Sequence, residues 1–241
     1  EDQDAFVFVH GYNVSFSTAA MRTAQIAFDI GFQGAPIMYS WPSDGKILGY
    51  LGDGDDVKAT IPCLTEFLEK VIEWSQAKRI HLIAHSMGNV CLIDALLAVV
   101  KKSKDKMVFN NIILASPDID RDVFKDQIAP KMTQYKNALE RITLYASSQD
   151  HALSLSRIIR RNDIPRAGEG GRRILVIKGI DTIDASMVGT DWLGHGFFAS
   201  EPTVINDLFA LIKNGLPPRK RNLRPYKTKD NLIYWKLPRV R

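Results

Sequence analysis

Cysteine is nearly missing from this 241-residue chain, in which Cys63 and Cys91 are the only two. Two thiols cannot build the disulfide framework of a small secreted scaffold. Both fall on helical apolar patterns, so they read as buried free thiols that leave the redox compartment open. No apolar run is long enough to cross a membrane, and no signal-peptide pattern opens the chain. The sequence enters an apolar run, Ala5–Val9, almost at once. It therefore reads as a shortened or processed product, soluble as it stands, with any export or anchor segment left open. The five histidines show none of the pair spacings of a metal site. Gly52-Asp53-Gly54-Asp55-Asp56 lacks the EF-hand spacing and its final glutamate, and reads instead as an acidic helix start. No internal repeat appears. Neither a metal nor a cofactor is expected.

What is present is ordinary globular composition, 45% apolar and 24% charged, in a length that suits one α/β domain with a sizeable core. The net charge of +5 is unevenly held. Pro217–Arg241 carries nine Lys/Arg against one Asp, whereas residues 1–216 hold 23 basic against 26 acidic. Gly215-Leu216-Pro217-Pro218 marks the one clear boundary, between a domain over 1–216 and a basic tail over 217–241. The tail interleaves its cations with Tyr226, Tyr234 and Trp235, a pattern suited to an anionic membrane surface or to stapling onto the body. Nucleic acid is not the expected partner, and the oligomeric state is left open.

Apolar runs at strand length occur at Ala5–Val9, Pro36–Ser40, Arg79–Ala84, Val108–Ala115, Arg141–Ala146 and Ile174–Lys178. Segments of helical period lie between them: Ser17–Ile30, Val57–Trp74, Val90–Val100, part of Arg121–Ala138, Ala152–Ile159 and, last, Pro202–Lys213. Six strands alternating with helices predict a mostly parallel sheet covered on both faces. Arg79-Ile80-His81-Leu82-Ile83-Ala84 is the most informative of these runs. It turns through His85-Ser86-Met87-Gly88 into a helix that is apolar nearly all round. A serine on such a turn is the nucleophile elbow of the G-x-S-x-G pattern, with Ala84 in place of the first glycine. Small residues are needed there because strand and helix backbones pass close, and the helix start supplies N–H groups for an oxyanion.

A serine attacks only when a histidine takes its proton and a carboxylate orients that histidine. The α/β-hydrolase fold presents them in the order Ser, acid, His. His195, in a glycine-flanked loop after the last strand, is the expected base. His151 is the alternative. Asp150 follows the second strand beyond the elbow and is the expected acid, against Asp118 and Asp120 after the first, which have a sufficient role as helix caps. Met87 N–H and Tyr12 N–H, the latter in the turn His10-Gly11-Tyr12-Asn13, are the expected oxyanion donors. His10 is read as structural beside that hole, His81 as a packed core residue, and His85 as shaping the elbow. Trp41 and Tyr50, with Leu48 and Leu51, are candidates for an acyl pocket or for plain loop packing. The short connection Ser116–Leu139 leaves no room for a large lid, so a fairly open site is expected.

HGYN, YSWPS, LIAHSMGN, ASPDID, TLYASSQDHAL, RAG and GHGFF, in this order over roughly residues 5–215, resemble a bacterial family of α/β hydrolases of unknown function within the esterase/lipase superfamily. The resemblance implies the triad Ser86, Asp150 and His195 and assigns no substrate. The sequence departs from the wider fold in starting at what should be its third strand, so the usual first two strands are expected to be absent and a sheet edge bare or covered by another segment such as the tail. The expected activity is hydrolysis of a carboxylic ester, small or lipid, through an acyl-enzyme. Thioesterase or acyltransferase chemistry is the near alternative, and a non-catalytic module binding a lipid or a partner the distant one.

Overall fold

The structure, a computed structural model, describes residues 3–43, 50–103, 106–148, 164–188 and 202–238, with the backbone alone for 50–52. Its framework is one sheet of eight strands in the order β2-β1-β3-β4-β5-β6-β8-β7. The strands are β1 (Asp4–Val9), β2 (Ala35–Tyr39), β3 (Arg79–His85), β4 (Phe109–Ala115), β5 (Leu139–Ala146), β6 (Asp181–Asp184), β7 (Arg224–Lys227) and β8 (Ile233–Lys236). All neighbours are parallel except β7, which runs against β8. β1 is buried along its whole length, as a strand between two helical layers must be. Its side chains alternate between the two cores. Phe6 and Phe8 join Ile26 of α1 (Phe16–Asp29) and Ile30 at its C-cap on one face. Val7 and Val9 face the opposite way, toward Leu64 and Leu68.

That second face is covered by α2 (Tyr50–Ala59), α3 (Ile61–Trp74) and α4 (Gly88–Lys102), with α5 (Arg121–Val123) running through a π turn into α6 (Ala129–Gln134). α7 (Pro202–Ile212) lies beside α1 on the first face, through Val204, Leu208 and Leu211. The single helix expected over Val57–Trp74 is two, parted at Thr60 because Pro62 opens α3 and cannot continue a hydrogen-bonded helix.

Three further expectations are corrected. The strand after β5 is Asp181–Asp184, not Ile174–Lys178. Ile174, Leu175 and Ile177 bury their side chains against the core as coil, and the chain then turns at Gly179 (φ +90°) into the ladder. The sheet has eight strands rather than about six, because the basic tail supplies β7 and β8. They pair at the β6 edge, so among the described residues β2 keeps an unpaired edge. Finally, Cys63 is exposed; Cys91 is buried, its thiol pushed up to about 12 by desolvation, and neither forms a disulfide.

The tail is tied down by more than its ladder. Arg221, wholly buried, meets Asp207 of α7 at 3.2 Å, and the Tyr145 hydroxyl of β5 donates to the same carboxylate at 2.5 Å. Burial raises the Asp207 carboxyl above its usual range, with Arg221 opposing. Trp235 and Leu223 add apolar contact with the α1–α7 side.

His81 in β3 is packed against Asn111, whose amide lies 2.9 Å from Nδ1. Donation by that amide leaves the imidazole proton on Nε2. Burial pulls the His81 pKa down to about 4, with Arg79 adding to the effect and Asp4 opposing it. The unfolded chain therefore takes up this proton near pH 6.5 and the folded chain only near 4, so stability falls as pH drops through that window. The loss is roughly 3 kcal/mol by linkage. Urea titrations at pH 7 and 4.5 should show it in the wild type and far less of it in His81→Gln. Equal losses in the two proteins would remove His81 as the cause.

Candidate active site

β3 delivers Ser86 to the carboxyl edge of the sheet, and α4 starts two residues later. To make that turn Ser86 takes φ +49°, a left-handed conformation costly for a residue with a Cβ. A set of hydrogen bonds holds it there. Ser86 N–H donates to Ala115 O at 2.9 Å. Its carbonyl accepts from Asn89 N–H (3.2 Å), Asn89 Nδ2 (2.9 Å) and Asp118 N–H (3.3 Å). The Asn89 amide also donates to Ala115 O, joining the elbow to the end of β4. Ser86 is only 4% exposed.

The turn after β1 lies directly against this elbow. A Cβ on Gly88 would stand 2.3 Å from His10 O and 2.9 Å from Val9 O. One on Gly11 would stand 3.0 Å from Ser86 Cβ. Both glycines are therefore demanded by backbone approach. Tyr12 follows Gly11, and Met87 N–H, at the start of α4, donates to no backbone carbonyl among the described residues. His10 is buried and fixed. Nδ1 donates to Gly11 O (2.8 Å), and Nε2 lies 3.2 Å from Ser40 Oγ. The ring stacks on Trp41 at 5.2 Å, and desolvation lowers its pKa. Trp41 is 2% exposed and donates from Nε1 to His10 O at 2.8 Å, so it underpins the turn instead of facing a pocket. The turn is also tied to α2, through Asn13 N–H to Ser43 Oγ (3.0 Å) and Ser43 Oγ to Asp53 Oδ2 (2.6 Å).

Asp118 and Asp120 share a buried cation. Both flank Arg166, a guanidinium 1% exposed, with Asp118 Oδ1 at 3.2 Å from Nε and Asp120 bonded to Nη1. Asp120 stands at the N-cap position of α5 without capping it, which corrects the capping role expected for the pair. The ion pairs stitch the loop after β4 to residues 165–169. Ala167 N–H donates to Ile119 O and Gly168 N–H to Pro117 O there.

Asp150, His151 and His195, with Leu48, lie outside the described residues, as do the side chains of Tyr50 and Leu51. Asp150 comes four residues after β5, the second strand beyond β3 in both sequence and sheet. Two positioning groups were missed by sequence reasoning. Asn89 was legible as the last residue of A-H-S-M-G-N; Asp184, at the end of β6, gave no signal. Asp184 Oδ1 accepts from Ser186 N–H (3.0 Å), and Ser186 Oγ accepts from Ser148 N–H (2.8 Å), which joins the loops after β5 and β6. Among the described residues no group of three His, Cys, Asp or Glu could hold a metal ion.

A parallel sheet with its elbow at the end of a central strand, backed by the turn of the neighbouring strand, is the architecture of an α/β hydrolase. The chain belongs to the family described as alpha/beta hydrolase of unknown function (DUF900), whose profile matches residues 1–214. It is 29% identical over 75 residues to an uncharacterised protein of Nostoc sp. (strain PCC 7120). That stretch is 31% of this chain and 20% of the Nostoc protein, so the chain spans about a fifth of that relative's length. Among solved structures, the phospholipase PlaB of Legionella pneumophila aligns with a TM-score of 0.47 at 11% identity, over 97% of this chain and 68% of its own. A protein of the alpha/beta hydrolase superfamily from Xanthomonas campestris pv. campestris aligns with a TM-score of 0.44 at 14% identity, over 88% and 99%.

Proposed function

We propose that the protein is a serine hydrolase that cleaves a carboxylic ester. Ser86 Oγ attacks the carbonyl carbon as His195 takes its proton, and Asp150 holds the imidazole in the required tautomer. Met87 and Tyr12 N–H groups receive the charge that develops on the carbonyl oxygen. The C–O bond to the alcohol then breaks, and His195 returns the proton to the leaving oxygen. Water, deprotonated by His195, releases the acid from the acyl-enzyme. The residues of this chain suffice for that chemistry, with no cofactor.

The observation that carries this reading is the strained Ser86 elbow packed backbone to backbone against the Gly11–Tyr12 turn. The left-handed conformation is shared by Ser116, but Ser86 alone joins it to the turn after β1 on one side and the start of α4 on the other. Fluorophosphonate treatment followed by intact-mass and peptide analysis tests it. One adduct on Ser86, lost in Ser86→Ala, is expected. Inertness of Ser86 would leave a non-catalytic binding module. Turnover of thioesters or transfer to alcohols at rates above ester hydrolysis would move the reaction to the neighbouring chemistries.

A further inference from the structure

On the face of the sheet covered by α2 and α4, an open groove of about 340 Å³ runs beside the elbow. Val57, Met87, Val90, Ile93, Ile119 and Val123 give it an apolar wall. Met87 is the residue after Ser86, and its N–H is one of the two oxyanion donors proposed above. The groove is therefore lined at one end by the residue that follows the proposed nucleophile.

Among the described residues the charges lining the groove balance. Arg166 is held between Asp118 and Asp120, and Lys58 and Lys131 stand at the lip with Asp94, all three exposed. Three cations against three anions leave no net field to recruit a charged ligand, so recognition falls to the apolar wall.

We propose that this groove is the acyl-chain subsite and that the acid half of the substrate is an uncharged, medium-length alkyl chain. The proposal rests on Ser86 as the nucleophile and adds the substrate class. At ~30 Å³ for a group of water size, the groove holds about eleven such groups. A methylene is of similar size, so a chain of about eight to ten carbons lies within it. Burying a methylene is worth about 0.8 kcal/mol, a fourfold change in binding, and somewhat less in a groove open along one side.

Two measurements run side by side. Ser86→Ala protein is titrated calorimetrically with methyl n-alkyl ketones of increasing length, which mimic the ester and cannot turn over. Kd should fall about two- to fourfold per carbon up to about ten carbons and then level. Val123 is 36% exposed at the lip, so Val123→Trp can lie across the groove without entering the core. In the Ser86→Ala background it should weaken the ten-carbon ketone about tenfold or more. In active protein, Val123→Trp should lower the ratio of kcat/KM for p-nitrophenyl octanoate over acetate by a similar factor. Val90→Trp should act in the same direction.

A Kd that ignores chain length, or one that Val123→Trp and Val90→Trp both leave unmoved, overturns the groove assignment. Fluorophosphonate labelling separates this from the esterase reading. Ser86 that labels while Kd ignores chain length ends the groove and keeps the hydrolase. Ser86 that stays inert while Kd follows chain length ends the hydrolase and the acyl-subsite role with it, and keeps only a groove that binds alkyl chains.

Discussion

Ser86→Ala should lower kcat for ester hydrolysis by ~10⁶, the loss typical when the nucleophile of a triad is removed. The fold should survive, because none of the bonds that hold the elbow uses the hydroxyl. Ser86 N–H, Ser86 O and the Asn89 amide are unaltered in the variant. Circular dichroism and melting temperature should therefore match or exceed the wild type while p-nitrophenyl ester turnover falls to background. A correctly folded variant that keeps its turnover removes Ser86 from the chemistry and the whole mechanism with it.

The second large effect concerns the acid. Asp150→Asn should cost ~10⁴ in kcat, since the histidine loses both its orienting charge and its tautomer. The rival carboxylate behaves differently for a structural reason. Asp118 lies against a guanidinium with almost no access to water, and Asp118→Asn leaves Asp120 as an anion beside it. Weakening one charge-assisted hydrogen bond in a buried network costs about 1.5–3 kcal/mol. Here that is a fall of roughly 3–12 °C in melting temperature. The two variants should separate: Asp150→Asn loses rate with its melting temperature held, and Asp118→Asn loses melting temperature with kcat of the folded fraction near wild type. The reverse pattern would place the acid after β4.

The parts of the molecule legible in its sequence are those with a strong periodic or apolar signature. β1 is an almost unbroken apolar run, and β3 is one interrupted only by His81 between its ends, because both of their faces are covered. The elbow was readable for a related reason: close backbone approach forces small residues at 84 and 88, and the register of those residues points at Ser86. β6 was misread because Ile174–Lys178 is more apolar than Thr182 and Ile183 flanked by two aspartates. Apolar residues signal burial, and coil can be buried as well as strand. The tail strands were hidden by their charge. β8 meets β6 through only two residue pairs, Ile183↔Trp235 and Asp184↔Lys236, too few to impose alternation on the sequence. Trp41 beside a turn suggested a pocket wall; its actual contact, the ring of His10, depends on a neighbour 31 residues away. In the sequence Arg166 stands out only as the first residue of the R-A-G motif; its pairing gave no hint, because its partners lie more than forty residues earlier.

The left-handed residues of the sheet have a consequence for how this protein can evolve or be engineered. Asn13, Ser86 and Ser116 take φ values of +55°, +49° and +44°, and they follow the carboxyl ends of β1, β3 and β4. Three of the five left-handed non-glycine positions among the described residues thus lie at the edge that carries the proposed nucleophile, the others being Gln76 and Asn231, and the rest of the fold must supply the stability that keeps them there. Activity and robustness are then opposed at a single position. Ser86→Gly relieves the strain at the elbow and should raise the melting temperature by about 2–4 °C, for a gain of ~1 kcal/mol, while ending turnover. A melting temperature at or below the wild type would mean that the turn is at ease with serine. Any selection for thermal tolerance alone is expected to drift toward glycine at 86, and only a demand for catalysis keeps the serine in place.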